Sequence, residues 1–208
     1  MSLPITKQQA TKAVTWMKTN FKNEIAAAVK GTPFTVDHIC AIACQETAYF
    51  WLSFIDKKSV ADVLARCVLD ASGDYPGTQR SAFPKNTSLF KAKYGDVFAN
   101  MLIAEANATR KWRGFSPAAW VYKGYGLFQY DLQYVVTDKT FFEQKKWYNF
   151  KDCLAKVMKE LTGKYAIYLG QDNAIWKTIK AYNGSGAAAT EYANNVTQFT
   201  DYSKAVIV

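Results

Sequence analysis

Apolar residues recur every three or four positions along most of this chain, the period of a helix with one buried face. Thr6 followed by Gln9 reads as a capping box. Ala10, Ala13, Val14, Met17 and Phe21 then share a face, and the helix runs to Val29, where Gly31 and Pro33 end it. A second helix starts near Thr35 or Asp37, with Val36, Ile39, Cys40, Ala43 and Phe50 on its apolar face. A third is predicted from 59 to about 71 through Val60, Val63, Leu64, Cys67 and Val68. Residues 72–87, rich in Gly, Pro and Ser, read as a long loop, and loops of that length inside a domain are often functional. Helices follow near 88–94 and 96–110, and Ser116-Pro117 reads as an N-cap with proline at the first helical position. Residues 123–148 look irregular, with a short strand suggested at 134–137. Asn149 caps a helix to about 169, another spans 173–181, and a last one runs from about 190 to 204. The pattern predicts one mainly α domain with little or no β-sheet.

Composition narrows the class. Half of the 208 residues are hydrophobic and 15% are aromatic, too many for a disordered chain. The longest apolar run, residues 49–55, has seven positions including a Ser, far short of the roughly 18 a membrane span needs, so no membrane insertion is expected. Lys and Arg number 26 against 17 Asp and Glu, a net charge of +9. That points to a polyanion: nucleic acid, a membrane surface or an acidic wall polymer. The basic residues are scattered rather than massed, which argues against nucleic acid. Cys40, Cys44, Cys67 and Cys153 are too sparse for a disulfide framework and read as buried thiols acting as small hydrophobes. Asp37, His38, Cys40 and Cys44 could be combined into a metal site, but they lack paired knuckle spacing. Neither metal nor cofactor is expected. The first residues contain no apolar signal core, so action outside the cytoplasm would require another export route.

Glu46 stands out among the titratable residues. Positions 39, 42, 43, 46 and 50 share one helical face, and all but Glu46 are apolar. A carboxyl drawn out of water there is expected to have a raised pKa, the property of a general acid at neutral pH. Next comes Lys123-Gly124-Tyr125-Gly126-Leu127-Phe128-Gln129-Tyr130-Asp131, whose two glycines permit backbone geometry that other residues resist. A third segment is Ala181-Tyr182-Asn183-Gly184, where Gly184 fits a helix C-cap. The fourth is Glu191-Tyr192-Ala193-Asn194-Asn195-Val196, at the start of the last helix.

Each block alone is an ordinary helix end, turn or amphipathic stretch. In this order they resemble the lysozyme-like superfamily, nearest in look to goose-type lysozymes and soluble lytic transglycosylases. The resemblance implies a lysozyme-like helical domain over residues 1–208. It also implies cleavage of bacterial peptidoglycan between N-acetylmuramic acid and N-acetylglucosamine. It makes Glu46 the acid that protonates the leaving oxygen. Asp131 matches the position of an Asp that holds the attacking water in goose-type enzymes, which favours a hydrolase. Gln129 would hydrogen-bond the sugar, Tyr125 and Phe128 would offer ring faces, and Tyr182, Asn183 and Gly184 would close the cleft, with Tyr182 bonding near Glu46. Phe128 stands where the family has Met, and Thr47 where it has Ser. Glu46 and Gly126 are 80 residues apart, longer than in typical members, so an inserted helical subdomain is expected at about 52–120.

Other readings remain open at this point. Asp70 and Asp74 are further candidates for a second carboxylate, and without one the reaction would be that of a lytic transglycosylase. A chitinase- or chitosanase-like glycosidase would use similar carboxylates. A catalytically inactive glycan-binding module would keep the fold alone. The expected partners are peptidoglycan strands and an immunity or inhibitor protein, with action at the cell wall or in the periplasm.

Overall fold

Side-chain caps set where the first helices begin. Thr6 Oγ1 accepts from the Gln9 amide, Gln9 Oε1 accepts from the Thr6 amide, and α1 (Lys7–Val29) follows. Thr35 and His38 repeat the device at α2 (Val36–Glu46), with His38 Nδ1 accepting from the Thr35 amide at 3.1 Å. In this computed structural model residues 3–71 and 73–208 are described. Met1 and Ser2 of the leading segment and Ser72 of the loop at 72–87 lie outside the described residues. The chain continues through α3 (Ala48–Trp51), α4 (Val60–Ala65), β1 (Val68–Ala71), α5 (Thr87–Tyr94) and α6 (Asp96–Trp112). Then come β2 (Tyr122–Tyr125), β3 (Tyr130–Asp131), a 3-10 turn at Leu132–Val136, α7 (Lys139–Glu143) and a second 3-10 turn at Lys146–Tyr148. The last elements are α8 (Phe150–Tyr168), α9 (Ala174–Asn183) and α10 (Gly186–Lys204). The protein is mainly helical, as the pattern predicts, with one small sheet. Among the described residues, no helix is long and apolar enough to cross a membrane.

The chain divides into two compact units, Met1–Lys58 with Leu154–Val208, and Ser59–Cys153. The second unit overlaps the expected insertion at 52–120 and also carries the sheet and the Gly124–Asp131 segment.

In the first unit, α2 is apolar almost all round. Ile39 through Cys44 are buried without exception, the signature of a helix enclosed by its neighbours. Its two ends are tied to α10 in antiparallel register, by Ser203 Oγ to Asp37 and by Tyr192 to Glu46. Lys18 of α1 adds a 2.9 Å ion pair to Asp37. Burial alone would push the Asp37 carboxyl up, but hydrogen bonds from Lys18 and Ser203, with the Lys18 charge, hold it below its ordinary value.

In the second unit the three strands pair antiparallel in the order β1-β2-β3. Three expectations fail here. The helix expected over 59–71 stops at Ala65, and the chain turns into β1, which pairs with β2. The helix expected at Ser116-Pro117 is absent, because Asn107 brackets Ala118 with two hydrogen bonds and holds the segment extended. The strand suggested at 134–137 is instead part of the 3-10 turn that Asp131 caps through the Gln133 amide.

Candidate functional site

Glu46 is the last residue of α2, half-buried at the end of a buried apolar face. Tyr192 of α10 reaches it, its phenol donating to Glu46 Oε1 at 2.6 Å. Burial pushes the Tyr192 phenol well above its ordinary pKa, and the Glu46 charge adds to the effect. Tyr192 therefore stays protonated and always presents a donor. The ring of Tyr182, near the end of α9, lies 6.2 Å from that of Tyr192. Sequence reasoning looked to Tyr182 for a contact near Glu46, and Tyr192 makes one as well, to Oε1. The signal was present, since Tyr192 sits in the fourth motif, though an amphipathic pattern does not say which residue turns inward. Asn183 and Gly184 follow at the exposed end of α9, where Gly184 adopts φ +124° and its amide donates to the Lys180 carbonyl.

Thr47, the departure from the family pattern, is fully buried. Its hydroxyl donates to the Ala43 carbonyl and accepts the Trp51 indole N–H at 2.9 Å. It thereby anchors α3 directly behind Glu46.

The other predicted site residues lie in the second unit. Gly126 to Gln129 form the turn between β2 and β3. A Cβ on Gly124 would lie 2.0 Å from Gln129 Oε1 and would displace that side chain, and one on Gly126, at φ +78°, would lie 2.4 Å from Cys153 Sγ, so Gly126 requires glycine. Gln129 adopts φ +51° and folds its amide back, donating to the Gly126 carbonyl at 2.8 Å. Its Oε1 is buried without a hydrogen-bond partner. Tyr125 and Phe128 correct the expectation of sugar-facing rings. Tyr125 is fully buried against Trp147 and Phe142, and Phe128 is 2% exposed beside Phe150. Both are core residues, because the tight turn needs apolar side chains beneath it.

Asp131 is half-buried and engaged. Its Oδ1 accepts from Arg80 Nη2 and from the Gln133 amide, both at 2.7 Å. Arg80, which sequence reasoning did not single out, also bonds the carbonyls of Ala82 and Phe83, so the loop is organised around its guanidinium. Asp74 accepts from the Thr87 amide and hydroxyl and caps that loop's far end. Asp70 is exposed, at φ +62°, and faces Lys123 at 3.8 Å.

A second carboxylate cluster also lies in this unit. Glu105 of α6, 7% exposed, accepts from Arg66 at 2.7 Å, Lys145 at 2.6 Å and Tyr148 at 2.5 Å. Burial would raise its pKa, but the Lys145 and Tyr148 hydrogen bonds and the Arg66 charge outweigh it and hold the carboxyl below the ordinary value.

The four cysteines are free and buried, and burial pushes the thiols of Cys40 and Cys153 up to about 12 and those of Cys44 and Cys67 higher still. Thiols this hard to ionise are poor nucleophiles and poor metal ligands. Among the described residues, no group of three or more His, Cys, Asp or Glu is placed to hold a metal ion. Comparison with protein-family models, curated proteins and solved structures found no match.

Proposed function

We propose that this protein is a muramidase, cleaving the bond from N-acetylmuramic acid to N-acetylglucosamine in bacterial peptidoglycan, with Glu46 as general acid. The observation that carries the reading is the Glu46–Tyr192 pair at the end of a buried helix. A half-buried carboxyl oriented by a permanent donor is suited to passing a proton to a leaving oxygen. The order of the four sequence blocks supplies the substrate class. In the hydrolytic form, Glu46 protonates the glycosidic oxygen as its bond to the anomeric carbon breaks. A second carboxylate would take a proton from the water that adds to that carbon, and Asp131 is the residue the sequence resemblance offers for it. Asn183 and Gly184, exposed beyond α9, contact the sugar.

One observation favours a second reading. Asp131 Oδ1 is already occupied by Arg80 and the Gln133 amide, which leaves it less free to hold an attacking water. Glu46 would protonate the leaving oxygen, and the substrate's own hydroxyl would then attack the anomeric carbon, as in a lytic transglycosylase, passing its proton to the Glu46 carboxylate. The work would be done at the cell wall or in the periplasm. Digestion of purified sacculi tests both forms. The wild type is expected to clear a suspension that Glu46→Gln, with an unchanged circular dichroism spectrum, leaves turbid. Full clearing by the variant would remove Glu46 from the chemistry.

A further inference from the structure

The first unit contains a cavity of about 490 Å³ whose lining does not include Glu46. That volume falls in the roughly 300–1,000 Å³ range of small-ligand sites. Its lining includes aromatic and apolar side chains, Tyr165 of α8 with Trp176 and Ile179 of α9. It also includes polar ones, His38 at the start of α2 with Asp201 and Lys204 at the end of α10. His38 and Glu46 stand eight positions apart on α2, or about 12 Å along its axis.

The polar part of the lining has a defined hydrogen-bonding character. His38 Nδ1 is taken by the Thr35 amide, so the neutral ring carries its proton on Nε2 and offers a donor. Burial lowers the His38 pKa and the Lys204 charge lowers it further, so the ring is neutral at pH 7. Lys204 and Asp201 pair at 3.0 Å, which leaves donors and acceptors side by side with no net charge between them. The Trp176 indole N–H donates to Asn194 at 3.0 Å, which fixes the plane of its ring.

A lining that combines aromatic rings with a neutral set of donors and acceptors suits a pyranose. Such a ring is apolar across its C–H face and carries hydroxyls around its rim. It suits a free anion poorly, because Asp201 faces the same space. We propose that this cavity is a saccharide-binding pocket for an amino-sugar unit of a glycan chain, separate from the Glu46 site. The choice of an amino sugar rests on the muramidase reading, but the fit to a pyranose does not.

The test is an NMR titration of the full chain carrying Glu46→Gln, using an N-acetylglucosamine tetramer and, in parallel, a glucose tetramer. His38 is the only histidine in the sequence, so its ring signal needs no assignment. The amino-sugar tetramer is expected to shift the His38 ring and Trp176 indole signals saturably. Trp176→Ala, or Asp201→Asn if the first variant does not fold, is expected to weaken binding about tenfold. A folded protein in which neither signal moves with either sugar overturns the pocket, even if the wild type digests sacculi. Shifts with the glucose tetramer alone overturn the amino-sugar assignment. Saturable shifts with the amino sugar, in a protein whose wild type releases nothing from sacculi, uphold the pocket and count only against the muramidase reading.

Discussion

Glu46, at the end of α2 in the first unit, is met by the phenol of Tyr192, whereas Glu105, midway along α6 in the second, is held by a guanidinium, an ammonium and a phenol. The two carboxylates are fitted for different work. Cations around a buried carboxylate fix it as an anion and make it a structural tie, and removing it leaves their charges buried without a partner. A neutral donor orients a carboxylate with less bias toward its charged form. Burial and a strong hydrogen bond are common to both residues, so neither property alone marks a reactive group. The cations gathered around Glu105 mark it as the structural tie.

Exchanging Glu for Gln at each position is the sharpest way to break the comparison. Glu46→Gln is expected to lower glycan cleavage by about 10²–10⁴-fold, the usual contribution of a positioned acid, while the melting temperature moves little. Glu105→Gln is expected to do the reverse, costing about 3–5 kcal/mol of stability through the stranded Arg66 and Lys145. Thermal melts beside sacculus digestion read both. If Glu105→Gln abolished cleavage without loss of stability, the roles would be exchanged.

Tyr192→Phe comes next. It removes a hydrogen bond worth about 0.5–1.5 kcal/mol when the acid is protonated, so cleavage should fall about two- to tenfold if that bond acts in the reaction. Steady-state kinetics on soluble glycan fragments check it, and an unchanged kcat would reduce Tyr192 to packing.

Acid should separate the two sites by stability. Glu105 is depressed below its ordinary value of 4.5, so its contribution is fully present above that value and is lost as pH falls through the lower, folded one. Denaturant midpoints measured from neutral pH into acid should therefore drop more steeply in the wild type than in Glu105→Gln. Parallel curves would deny the network its weight.

The smallest effect is expected behind Glu46. Thr47→Ser keeps the hydroxyl that receives Trp51 and should change stability by less than about 1 kcal/mol. Thr47→Val leaves a buried indole N–H unpaired and should cost about 1–3 kcal/mol. Equal midpoints for the two variants would show that the hydroxyl is not the anchor.

What the sequence disclosed follows the range of the forces involved. The caps at Thr6 and Thr35 and the buried stripe of α1 were legible, because they depend on residues within a turn or two. Glu46 was legible as a lone carboxylate on an apolar face for the same reason. The strand at Val68–Ala71 was not, since Val60 to Val68 keep helical spacing and only pairing with β2, more than 50 residues later, draws the chain out of the helix. Ser116-Pro117 has the composition of a helix start, yet Asn107 claims the backbone of Ala118. The Glu105 cluster gathers residues 66, 105, 145 and 148, and Arg80 meets Asp131 from 51 positions away, so no local pattern announces either. The resemblance alone made Tyr125 and Phe128 sugar-facing, whereas the turn they belong to is packed from below.

The central claim is that Glu46 donates a proton to a glycosidic oxygen of peptidoglycan. Mass analysis of the soluble fragments released from purified sacculi tests it most directly. The account predicts disaccharide-containing fragments from the wild type and none from Glu46→Gln. Free reducing ends would identify water as the nucleophile and anhydro ends the substrate's own hydroxyl. Intact glycan strands after prolonged digestion with folded wild-type protein would contradict it.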